Sequence, residues 1–243
     1  MCFLGYCIAK VRNARPLEVE AKPPSFVPMP QHAMSTQPTN ADVVLWREQS
    51  GDIEGMAHGD ELERVFPDRR MSDLSPLRQR EHAVAAQAIS ALLGHGNWCL
   101  RHDEHGKPEL EFQDGTKAGV SLSHCELDGE VWVAAARWRD GRTTGGIDLV
   151  LTDDERVVRV APRVMSRDEL DRWAGREAWA WGVKEAMFKG HGPALEFQRD
   201  ALLDEVTENE RGTGGRLAGR VRGAEWCGGW SLEAGRLLVV WAE

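Results

Sequence analysis

The chain has 243 residues and a formal net charge of −9 at pH 7, which is room for one sizeable core or two small ones. That acidic balance excludes a general nucleic-acid binder, since such proteins carry a basic face. It restricts any phosphate site to a local cluster of cationic side chains, and it repels an acidic protein partner unless the docking surface is locally neutral or basic.

The five cysteines, Cys2, Cys7, Cys99, Cys125 and Cys227, are scattered and odd in number, so neither a disulfide framework nor a zinc knuckle is implied and a cytoplasmic setting is expected. The apolar run Cys2 to Ala9 is short, has no basic residue before it and is followed by Lys10, Arg12 and Arg15. It makes a poor signal peptide, and no later window reaches the length of a membrane span. Pro23, Pro24, Pro28, Pro30 and Pro38 give residues 1–40 the composition of a tail or linker.

From Asp42 the pattern becomes globular. Val43 to Trp46 reads as a strand, and Ser75-Pro76 opens a helix that runs through Arg80, Ala83, Ala86, Ile89, Leu92 and Leu93 to a stop at Gly94. Extended segments are expected at Trp98–Arg101, Glu109–Phe112, Val120–Leu122 and Val131–Ala136. The second part repeats this order: a strand at Gly146–Leu151, helical sequence from Ser166 to Lys189, then strands near Leu195–Leu203, Leu217–Gly223 and Leu237–Trp241. An internal duplication fits that order, although no residue-level repeat of fixed period accompanies it.

Three local patterns carry candidate chemistry. Gly145-Gly146-Ile147-Asp148-Leu149-Val150 is an apolar strand interrupted by one carboxylate, whose ordinary reading is a strand-end cap. In Trp181-Gly182-Val183-Lys184-Glu185-Ala186-Met187-Phe188-Lys189, residues 181, 185 and 189 share a helical face, and the ordinary reading is an exposed ion pair beside a core tryptophan. The third is Gly106-Lys107-Pro108-Glu109-Leu110 followed by Ser121-Leu122-Ser123-His124, where a lone histidine is usually structural and a turn lysine usually solvated.

Together, in this order and at these separations, the three patterns resemble the 4'-phosphopantetheinyl transferase superfamily, and specifically its surfactin-synthetase-activating type, over roughly Asp42 to Trp241. The resemblance implies an α+β fold of two similar halves, residues 41–143 and 144–243, related by a pseudo-twofold axis with coenzyme A in the crevice between them. It implies transfer of the 4'-phosphopantetheine arm of coenzyme A to a serine of an acyl or peptidyl carrier protein, with Mg2+ held by Asp148 and Glu185. Magnesium suits that chemistry because it takes oxygen ligands and binds through one or two carboxylates plus substrate phosphates. By the same resemblance Glu185 is the candidate general base. Lys184 and Lys189 are expected at the pyrophosphate or pantetheine side of the ligand. Lys107, Ser123 and His124 match the positions at its nucleotide end, with His124 on the 3'-phosphate. An arginine near that phosphate corresponds to Arg78 or Arg80, and Arg80 is preferred.

The chain departs from the family pattern at two places. Val150 stands where relatives carry a third carboxylate, and Ala86 and Gln87 occupy the region of a mid-helix arginine. These departures leave open a non-catalytic relative that binds coenzyme A or a carrier without transferring anything. A metal hydrolase built on His102, Asp103, Glu104 and His105 is disfavoured, because adjacent residues on an extended turn point in alternating directions. Trp132 and Trp179 read as core, and Gly212, Gly214 and Gly215 as a hairpin loop rather than a phosphate cradle. A chain that encloses its own cleft is expected to be a monomer.

Overall fold

The structure, a computed structural model, describes residues 41–48, 59–94, 97–138 and 145–242. The proline-rich stretch and the Cys2–Ala9 run lie outside the described residues. In chain order come β1 (Ala41–Arg47), α1 (Gly59–Val65), a 3-10 turn (Met71–Asp73), α2 (Pro76–Leu93), β2 (Trp98–His102), β3 (Pro108–Phe112) and β4 (Lys117–Gly119). These are followed by β5 (Ser121–Leu127), β6 (Glu130–Trp138), β7 (Gly146–Leu151), α3 (Glu155–Val164), α4 (Arg167–Arg172) and α5 (Glu177–His191). The last elements are α6 (Phe197–Asp200), β8 (Ala201–Glu208), β9 (Gly214–Val221), β10 (Ala224–Glu233) and β11 (Leu237–Ala242). Among the described residues the fold is α+β, with antiparallel sheets ordered β1-β6-β5, β2-β3-β4 and β7-β11-β10-β9-β8.

Runs in which nearly every residue is apolar belong to strands buried on both faces. In β6, Val131, Val133 and Ala135 pack with Val84 and Ala88 of α2, while Trp132, Ala134, Ala136 and Trp138 pack with Ile147, Leu149, Leu237, Val239 and Trp241. The opposite faces of β7 and β11, carrying Val150, Leu238 and Val240, meet Val183 and Ala186 of α5. The succession is therefore helix, sheet, sheet, helix.

Where those two sheets meet, β5 and β7 are joined by side chains. The edge amides of Ile147 and Leu149 donate to the hydroxyls of Ser121 and Ser123, at 3.0 and 3.1 Å. Amides buried without a partner are destabilising by about 1–3 kcal/mol each, so each serine satisfies a real need of the strand edge.

Helix α2 begins and ends as its sequence predicts: Ser75 accepts from the Arg78 amide, Pro76 occupies the first turn, and Gly94 takes φ 73° at the stop. The helical stretch from Ser166 divides, however. The turn at Trp173–Gly175, with Gly175 at φ 77°, separates α4 from α5. Asp154, in what reads as an acidic turn, caps α3 by accepting from the Arg156 amide. Further segments differ. Residues 197–200 are helical, so the strand expected from Leu195 starts only at Ala201; Val120 separates β4 from β5; and α1, α3, β4 and β10 have no counterpart among the expected elements.

Candidate functional site

Alternation along β7 sends Ile147 and Leu149 into the core between the sheets and leaves Asp148 and Val150 facing α5. Gly146 makes the approach possible. A Cβ there would lie 1.9 Å from the Ala186 carbonyl oxygen, so only glycine lets the strand run this close to the helix. Asp148 is consequently 6% exposed. Its Oδ1 accepts from Ser123 Oγ at 2.9 Å and from Lys189 Nζ at 2.7 Å, and Lys189 also donates to the Ile147 carbonyl at 2.9 Å.

Helical spacing places Glu185 one turn before Lys189 on the same face of α5. Burial, reinforced by the negative charge of Asp148, pushes the Glu185 carboxyl up to about 7, and Lys189 only partly opposes this. Asp148 and Lys189 thus pair between a strand and a helix, and Glu185 lies within range of both charges.

On the other side of this group, β5 turns Leu122 and His124 toward α2. His124 Nε2 lies 3.4 Å from Arg78 Nη1, and His124 Nδ1 lies 3.5 Å from Glu81 Oε1. Arg78 Nη1 in turn donates to Glu81 Oε2 at 2.7 Å. Burial, then the cations Arg78 and Lys189, depress His124 to about 4 although Asp148 acts in the opposite direction. The imidazole is therefore neutral at pH 7.

Several expected site residues are found elsewhere. Arg80 points away from His124: its guanidinium makes a two-pronged pair with the buried Glu48, at 2.8 Å from Nε and 2.5 Å from Nη2, and caps the Gly129 carbonyl. Arg78 is the arginine beside His124, because a helix turns neighbours two apart to different faces. Lys184 is a correction of a different kind. It is fully buried and its ammonium donates to Glu169 and to the carbonyls of Phe197 and Ala201. One residue from Glu185 along a helix is about 100° around it, which sends Lys184 into the core of the second sheet.

Lys107 is half-buried and donates to the Gly190 carbonyl at the end of α5, 3.0 Å away. Ser123 contacts Asp148 rather than standing apart from the carboxylates. Val150 is 5% exposed within the core beneath α5, so its side chain fills space that a third carboxylate would have to enter. Gln87 accepts from Trp46 Nε1 at 2.7 Å. Glu81 was not among the expected residues; its only sequence signal is the i, i+3 spacing from Arg78.

His102 to His105 form a turn in which Asp103 Oδ1 accepts from the amides of His105 and Lys107. No group of three or more His, Cys, Asp or Glu among the described residues is placed to hold a metal ion. No helix among them is long and apolar enough to cross a membrane. Trp132 lies in the core, Trp179 packs edge-on against Trp230, and Gly212 sits at φ 66° in the β8–β9 hairpin. The sequence matches no family model, and no curated protein matches it.

Proposed function

We propose that the chain is a magnesium-dependent 4'-phosphopantetheinyl transferase that moves the phosphopantetheine arm of coenzyme A onto a serine of an acyl or peptidyl carrier protein. The observation that carries this reading is the Asp148–Lys189 pair between β7 and α5, with Glu185 one helical turn away within range of both charges, beside the Arg78–His124 pair. The order of a helix and antiparallel strands in each half supports the two-halved fold that goes with it.

The donor set fits magnesium. Both carboxylates offer hard oxygen, and burial together with the charge of Asp148 raises Glu185, a shift that a bound cation would relieve. When bound, the metal supplies neutralisation of a diphosphate. Asp148, fixed by Ser123, and Glu185 would hold it. Lys189 is a point charge for the same diphosphate. As general base, Glu185 would take the proton of the acceptor serine, directly or through a water, as its oxygen attacks the β-phosphorus and adenosine 3',5'-bisphosphate departs. The Arg78–His124 pair, with Lys107 toward the end of α5, serves the nucleotide end.

The test is incubation with coenzyme A, Mg2+ and several apo carrier domains, read by intact-protein mass, beside Asp148→Ala and Glu185→Gln. Transfer by the wild-type chain and loss in both variants, with unchanged circular dichroism, is expected. Full turnover by either variant contradicts the site. Binding of coenzyme A with no transfer to any carrier assigns the chain to non-catalytic binding instead.

A further inference from the structure

The Arg78–His124 pair is a cationic corner with an anion already in it. Glu81 is buried, and its two oxygens serve the two groups separately: Oε2 accepts from Arg78 Nη1 at 2.7 Å, and Oε1 lies 3.5 Å from His124 Nδ1. The carboxylate cancels the guanidinium charge, so the corner has no net charge while the imidazole is neutral. The wider surroundings tell the same story, because Lys189, a second cation acting on His124, is committed to Asp148 and the Ile147 carbonyl. A phosphate arriving at Arg78 Nη1 therefore competes with Glu81 for the guanidinium charge, and the charge-assisted pair it gains is strongest once Glu81 has left.

We propose that Glu81 is a resident counter-anion, displaced when a phosphate monoester enters the Arg78–His124 corner, and that it sets how strongly the protein distinguishes ligands that carry that phosphate from those that lack it. A purely structural carboxylate would have no such effect on selectivity. The inference rests on the coenzyme A reading above, which makes the 3'-phosphate the monoester concerned. Its chemistry is competition between two anions for one guanidinium, and no covalent step is involved. Neutralising Glu81 while keeping its shape leaves an amide oxygen to orient Arg78 and raises the charge of the corner by one.

The experiment compares coenzyme A with 3'-dephospho-coenzyme A by titration calorimetry, without carrier, for the wild-type chain and Glu81→Gln. The variant is expected to bind coenzyme A several-fold more tightly and the dephospho form unchanged, so that the ratio of the two affinities rises. An unchanged or lower ratio overturns the proposal. Because Glu81 is buried and the variant can fail to fold, a structure of the wild-type chain with coenzyme A gives a second reading. The Glu81 carboxylate is expected to have left Arg78 Nη1, and persistence of the 2.7 Å contact overturns the proposal. A wild-type chain that binds neither nucleotide overturns the coenzyme A reading together with this one. Binding with an unaltered ratio overturns this one alone.

Discussion

Replacing Lys184 with methionine separates a structural lysine from a ligand-binding one. The side chain is fully buried, and its ammonium joins four elements: α5, which carries it, Glu169 of α4, the Phe197 carbonyl of α6 and the Ala201 carbonyl at the start of β8. Glu169 is itself buried and closes the capping box of α4 by accepting from the Ser166 amide at 3.0 Å. Methionine fills nearly the same volume but removes the donor, leaving a carboxylate and two carbonyls without their partner. Breaking a buried pair from one side destabilises by about 3–5 kcal/mol, which for a domain of this size lowers Tm by roughly 6–20 °C. Lys184→Met combined with Glu169→Gln removes the stranded charge and is expected to recover about 1–3 kcal/mol of that loss. Thermal and urea unfolding measure both, and coenzyme A affinity is read at a temperature where every variant is folded. A single variant that melts with the wild type but loses coenzyme A binding refutes the structural assignment.

Gly146→Ala forces the strand away from the Ala186 carbonyl; it is expected to destabilise by about 1–3 kcal/mol and to abolish transfer, checked by unfolding and by carrier mass. Ser123→Ala leaves the Leu149 amide without its acceptor and Asp148 with Lys189 as its remaining side-chain donor; about 1–3 kcal/mol of stability is lost and the magnesium requirement rises, measured by titrating the metal in the transfer assay. Glu185→Gln removes one of two neighbouring carboxylates, so the metal-free chain gains about 1 kcal/mol at neutral pH while transfer disappears; a fall in Tm contradicts the like-charge account. Stability should also fall in acid. His124 is held to about 4 in the folded chain against its ordinary 6.5, so its contribution is complete above pH 6.5 and is lost as pH drops toward 4. The full difference is about 3.4 kcal/mol, but the side chain keeps 35% of its surface, and solvent screening reduces the effect to on the order of 1 kcal/mol. Urea midpoints across that range test this, and His124→Asn should flatten the dependence.

Much of the fold was legible in the sequence because its signals are local. Ser75, Pro76 and Gly94 fix the ends of α2 by capping, and the apolar runs around β6, β7 and β11 announce strands. The division of α4 from α5 was hidden, since one turn at Gly175 interrupts a pattern that is helical on both sides. At the site, helical spacing put Glu185 and Lys189 on one face, but Asp148 and that face were joined into one candidate site only by the family resemblance. The roles of Lys184, Arg80 and Arg78 were not legible. Which way a cation on a helix points depends on a partner far away in the chain, Glu169 for one and Glu48 for another, and no local pattern reveals that partner. Glu81 was hidden for the same reason, because what matters about it is its distance from His124 on another element.

The two serines between β5 and β7 give this joint a different evolutionary character from an ordinary sheet. A backbone ladder is indifferent to side-chain identity, so point mutation can weaken it but seldom redraw it. Here the union of the two layers is written in hydroxyl groups, and a single codon change at Ser121 or Ser123 releases one tether while every ladder stays intact. The angle between the layers is thereby open to gradual adjustment by selection.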